Sequence, residues 1–184
     1  MKVSIMKHKR NIWTVIVCAL LLVACHPYNP SSYRGLPKEY TAAYIQTHGH
    51  CYDSIPFAVV SLDLYSEGLE LNEDHHIVGT GYNLYFSDLF VPDSLLEEGV
   101  YQSLTTRPYT PDSLTFLPGM DFEGYPYGTY ILNIENDQVK QIQLVDSGNI
   151  VYRNDSLTCT LYFRNAYGSK TTYRCSFQGP LIPW

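Results

Sequence analysis

Residue types that can do chemistry gather at two places in this 184-residue chain. The first is His48-Gly49-His50-Cys51 together with Asp74, His75 and His76. In an extended segment His48 and His50 point the same way, and imidazole with thiolate suits zinc. The two groups flank the strand-like run 57–65 at opposite ends, about 30 Å apart in a simple meander. Only a short return strand at 69–71 would bring them closer. Polar loops with surface histidines are therefore the favoured reading; His48 and His50 stand as weak metal-ligand candidates, and no cofactor is expected. Cys51 beside two histidines suggests a thiol nucleophile, but sequence neighbours rarely form a working dyad.

The second place is residues 117–128, LPGMDFEGYPYG. Met120, Phe122, Tyr125 and Tyr127 stand there beside Asp121 and Glu123, with prolines and glycines setting the shape of the loop. Aromatic rings on a rigid β-scaffold stack on the apolar faces of sugars, while carboxylates accept hydrogen bonds from hydroxyls. Asp121, Phe122, Glu123, Tyr125 and Tyr127 are accordingly the candidate ligand-binding residues. The competing arrangement turns Phe122 and one tyrosine inward to cap the core. The sequence holds no Gly-x-Ser-x-Gly elbow, no His-Glu-x-x-His helix and no phosphate loop. Eighteen carboxylates make some acidic pair unavoidable, and nothing selects a glycosidase acid or base among them. No catalytic residue is assigned.

These groups need a scaffold and an address. Lys2, Lys7, Lys9 and Arg10 precede thirteen mostly apolar residues, 12–24, without charge. That run is shorter than the roughly 20 residues of a membrane span and fits a signal-peptide core. It ends Leu22-Val23-Ala24-Cys25, which resembles the lipobox of bacterial lipoproteins. The resemblance implies that residues 1–24 are removed and that the Cys25 thiol carries the lipid. Several acyl chains at about 0.8 kcal/mol per buried CH₂ make a stable membrane anchor. Residues 25–38, with Pro27, Pro30, Gly35 and Pro37, read as a flexible tether. His26, Pro27, Tyr28 and Asn29 lack the acidic cluster of many surface-displayed lipoproteins, which favours the periplasmic face of the outer membrane.

Four of the twelve basic residues and none of the eighteen acidic ones precede Cys25, so the charge moves from −6 to −10. Such a chain is not expected to bind nucleic acid. An aromatic content of 14% with 16% charged residues excludes disorder and a coiled coil. Length predicts one domain, residues 39–184.

Period-two alternation runs through that domain. Ala58, Val60, Leu62 and Leu64 alternate with Val59, Ser61 and Asp63; Val78, Tyr82, Leu84 and Phe86 share a face, as do Tyr130, Leu132 and Ile134. Glu67-Gly68, Asn136-Asp137, Ser147-Gly148-Asn149, Asn154-Asp155 and Gly179-Pro180 read as turns. No segment sustains a helical period. The expectation is an all-β domain, an antiparallel β-sandwich of about 8–10 strands, with a lipocalin-like β-barrel as the alternative. At the C-terminal end, a five-residue loop at 165–169 pairs Arg164 with Lys170 and sets Cys159 opposite Cys175, within disulfide reach. Buried free thiols are the other outcome.

Gly79-Thr80-Gly81-Tyr82-Asn83-Leu84-Tyr85-Phe86-Ser87-Asp88-Leu89-Phe90, then Leu96-Glu97-Glu98-Gly99-Val100-Tyr101, is similar to a module of small uncharacterised lipoproteins of gut Bacteroidota. Gly128-Thr129-Tyr130 and Phe177-Gln178-Gly179-Pro180-Leu181 extend the likeness. It implies a tyrosine-rich β-domain in the cell envelope and transfers no catalytic residue. The functional expectation is a non-catalytic binding module for a glycan or an envelope component. A structural or protein-interaction role is the alternative, and a hydrolase is the least favoured.

Overall fold

The computed structural model describes residues 35–164 and 168–184, and every regular element within them is a strand. The leader, Cys25 and the tether up to residue 34 lie outside the described residues, as do 165–167. In chain order come β1 (Glu39–Tyr40), β2 (Ala42–Gly49), β3 (Ala58–Tyr65), β4 (Leu69–Leu71), β5 (Ile77–Gly79) and β6 (Gly81–Val91). There follow β7 (Gly99–Ser103), β8 (Thr115–Phe116), β9 (Met120–Phe122) and β10 (Tyr125–Tyr127). The longer strands β11 (Thr129–Glu135), β12 (Gln138–Leu144), β13 (Ser147–Arg153), β14 (Ser156–Arg164) and β15 (Lys170–Gln178) precede a short β16 (Ile182–Pro183).

β6 is the hub of one curled, mixed sheet. Its first edge pairs with β3. Its second edge is shared: β8 takes the C-terminal half at Leu89 and Phe90, and β11 takes the N-terminal half from Gly81 to Phe86. β12 extends the β11 branch, while β8 leads through β7, β13 and β14 to β15. β15 pairs in parallel with β1, and β16 pairs in parallel with β2. Only Thr41 separates β1 from β2, and β2 pairs antiparallel with β3. The all-β expectation holds. The parallel pairings, β7 with β8 among them, are not written in the alternation, because they join segments far apart in sequence.

Alternation locates the main core correctly. Ala58, Val60, Leu62 and Leu64 pack with Leu84, Phe86, Leu89 and Val91, and Phe86 meets Phe116 edge-on at 5.6 Å. It understates the opposite face of β3, which is also buried along its whole length. The β4–β5 ribbon brings Leu69, Leu71 and Ile77 onto Tyr65, and Tyr52, Ile55 and Phe57 pack around Val59 and Phe90. The apolar run after residue 77 is two strands, broken at Thr80, so Val78 leaves the face of Leu84 and Phe86 for the ribbon. Ser147-Gly148-Asn149 opens β13 and is not a turn. Asn136-Asp137 and Asn154-Asp155 do turn, with φ of 51° and 63° and of 50° and 53°, the left-handed pair that a two-residue hairpin requires.

The β14–β15 register follows the loop-length arithmetic. Arg164 lies opposite Lys170 and Cys159 opposite Cys175. Both sulfurs are buried, unbridged thiols in this structure. Tyr40, the anchor residue of β1, meets the same hairpin: its hydroxyl lies 3.0 Å from the Tyr173 hydroxyl.

Candidate functional site

The loop at 117–128 is a small hairpin. β9 and β10 pair antiparallel around Glu123 and Gly124, whose φ angles are 53° and 88°. Asp121 shapes this turn, since its Oδ1 accepts the Gly124 N–H at 2.8 Å. Phe122 and Tyr125 lie directly opposite each other and are 67% and 75% exposed. Directly opposed residues share a face of the ribbon, so both exposed side chains leave the same side of the hairpin, with exposed Glu123 at its tip. The base of the hairpin is fixed. Gly119 N–H donates to Val145 at 2.7 Å, and the Thr129 hydroxyl donates to the Leu117 carbonyl at 2.6 Å. Gly128 has φ of 79°, and a Cβ there would collide with the Pro118 carbonyl.

Neither Phe122 nor Tyr125 turns inward to cap the core. Tyr127 is divided: its ring is partly exposed, but its hydroxyl lies 2.9 Å from that of Tyr52. Tyr52 in turn donates to Asp88 Oδ1 at 3.1 Å, and Ser87 donates to Oδ2 at 2.8 Å. Burial, reinforced by the bond to Tyr52, pushes the Tyr127 phenol well above its ordinary range; burial also raises that of Tyr52. Both stay neutral and Tyr127 is pinned by its hydroxyl. Tyr52 and Asp88 were invisible as site residues because they lie 75 and 39 positions from Tyr127, with no local pattern linking them.

A second polar group occupies the same sheet. Tyr44, Asp63, Tyr85 and Tyr130 lie directly opposite one another across β2, β3, β6 and β11. Tyr44 packs on Tyr65 at 5.0 Å, and Tyr85 on Tyr130 at 5.2 Å. Asp63, 4% exposed, accepts a 2.9 Å hydrogen bond from Asn83 Nδ2, and desolvation lifts its carboxyl to about 7. Such a carboxyl has the pKa of a general acid but not the access. It is shut from solvent, whereas the hairpin is exposed.

The two histidine groups stay apart on the surface. His48 Nε2 lies 3.0 Å from Ser61 Oγ, and the His75 ring sits edge-on to Trp184 at 6.0 Å. His50 and Cys51 are exposed. Among the described residues no three His, Cys, Asp or Glu side chains form a group able to hold a metal ion. The return strand at 69–71 exists as β4, and it pairs with β5 rather than carrying Asp74 and His76 toward His48.

No protein-family model matches this chain, and no match is found among the curated proteins or the solved structures.

Proposed function

We propose that this protein is a non-catalytic carbohydrate-binding domain, held by lipid on Cys25 at the periplasmic face of a bacterial outer membrane. One observation carries the binding role: Phe122 and Tyr125 form an exposed aromatic pair on a hairpin whose base is fixed. A pyranose ring stacks on such a pair through its C–H face, and Glu123 accepts its hydroxyls. Rigid rings lose little conformational entropy on binding, so modest contact area suffices. The anchor follows from the charged, apolar and lipobox segments of the leader, since a −10 domain has no attraction for anionic lipid.

Affinity electrophoresis on a panel of polysaccharides tests the reading. At least one polysaccharide retards the wild-type protein. Tyr125→Ala or Phe122→Ala weakens that retention about tenfold. Tyr127→Phe keeps it, because the Tyr127 hydroxyl is occupied by Tyr52. Retention by nothing on the panel, or retention unchanged in both alanine variants, rejects the proposal.

A protein-partner reading has one observation in its favour. Among the described strands β12 pairs with β11 alone, and Lys140 on it is exposed. Crosslinking in intact envelopes through position 140 separates it from glycan binding.

A further inference from the structure

At the base of the hairpin lies an open cleft of about 440 Å³. Pro118 and Gly119, which lead directly into β9, form part of its wall. The described residues include seven basic side chains: Lys38, Arg107, Lys140, Arg153, Arg164, Lys170 and Arg174. Three of the seven, Arg107, Arg164 and Lys170, line this cleft, and Asp146 is the one acidic residue that lines it with them. In a domain of strongly negative charge, that concentration sets the cleft apart from the rest of the surface.

The cations are held in place without being fully neutralised. Asp146 receives Arg164 through two contacts, 3.1 Å from Nε and 3.2 Å from Nη2, and Lys170 at 3.7 Å. One carboxylate therefore serves two cations. Arg107 has no carboxylate partner among the described residues. Its guanidinium lies 5.4 Å over the Tyr109 ring, and its Nε donates to the Tyr109 hydroxyl at 3.2 Å. Lys170 similarly sits 5.9 Å over the Tyr162 ring. Aromatic faces orient cations while leaving their charge available to an anion. Three positive groups against one negative leave two positive charges in excess.

We infer that the glycan is acidic: the cleft takes a sugar carboxylate or sulfate while the neighbouring hairpin stacks on the ring of an adjacent sugar. Gly119 and Phe122 are three extended residue steps apart, about 10 Å, so one oligosaccharide spans both. The overall negative charge does not forbid this, since repulsion from distant groups is screened beyond about 8 Å at physiological salt. This inference rests on the hairpin's carbohydrate reading and adds the class of sugar.

The test is affinity electrophoresis of the full-length protein at about 0.15 M salt. The gels contain polygalacturonate, dextran sulfate, neutral dextran or polyglutamate. Retention by one or both acidic polysaccharides, and not by polyglutamate, is expected. Arg107→Ala weakens it about tenfold, since a charge-assisted contact is lost. Arg153→Ala makes the same charge change outside the cleft and leaves retention intact. Retention by carboxylated but not sulfated polymer, or the reverse, identifies the anion. Retention insensitive to Arg107→Ala, or by neutral dextran alone, overturns the acidic-sugar inference and leaves the hairpin reading standing. Equal retention by polyglutamate overturns it as well, because charge alone then suffices. Failure of every polysaccharide removes both.

Discussion

Asp63→Asn will stabilise the protein by about 4 kcal/mol at pH 8 and leave it nearly unchanged at pH 4. The carboxyl of Asp63 is desolvated by burial, and the hydrogen bond from Asn83 only partly offsets that cost. Folding therefore raises its pKa from the ordinary carboxylate range to about 7. A group whose folded pKa is raised binds its proton more tightly in the native state. The wild-type protein thus takes up a proton on folding between about pH 4 and 7, and its stability falls as pH rises through that window. Three units at 1.36 kcal/mol each give the stated difference. Asparagine keeps an acceptor oxygen for Asn83 and cannot ionise, so its gain over wild type grows from pH 4 to pH 8. Urea titrations of both proteins across that range measure it. A difference independent of pH would contradict a desolvated carboxyl at this position.

The second large effect belongs to the β14–β15 hairpin. Cys159 and Cys175 are directly opposed and buried, at the spacing a bridge requires. The hydrogen bond to Cys175, and then burial, hold the Cys159 thiol above its ordinary range, so it is unreactive once folded. Oxidation must occur during folding, by the thiol–disulfide exchange available outside the cytoplasm. Protein folded under those conditions will be two daltons lighter than its reduced form. The bridge closes a short loop worth about 3 kcal/mol, so reductant will lower the unfolding midpoint by roughly 6–12 °C. The double variant Cys159→Ala, Cys175→Ala will not respond to reductant. Identical masses with and without reductant would show two packed thiols and no bridge.

Much of the scaffold was legible because one face of each strand meets a single core. Ala58, Val60, Leu62 and Leu64 declare that face by alternation, and Asn154-Asp155 declares its turn by residue type. Asp63 shows where such reading stops. A carboxylate alternating with leucines reads as a solvent-facing position, yet it is buried, with Tyr44 and Tyr85 directly opposite on β2 and β6 and Tyr65 two positions along β3. The pairings with positions 44 and 85 have no local signature. The same holds for the parallel pairings that set residues 39–45 beside 176–183. The hairpin at 117–128 was visible as aromatic and turn chemistry, whereas the Tyr52–Asp88 link that pins Tyr127 was not. Nor was the basic cleft, whose cations come from three separate loops and strands. Tyrosines divide between core and surface: Tyr40, Tyr65, Tyr101 and Tyr173 are buried, and Tyr125 is the most exposed large apolar side chain among the described residues.

Calorimetric titration shows most directly whether the Phe122–Tyr125 pair stacks on a sugar. Oligosaccharides from a polysaccharide that retards the protein are titrated into wild type and into Phe122→Ala, Tyr125→Ala. Both side chains are exposed, so the double variant should unfold at the wild-type temperature and serve as a folded control. Measurable binding heat is expected for wild type and none for the double variant. Equal affinity in the two proteins would contradict stacking on that pair.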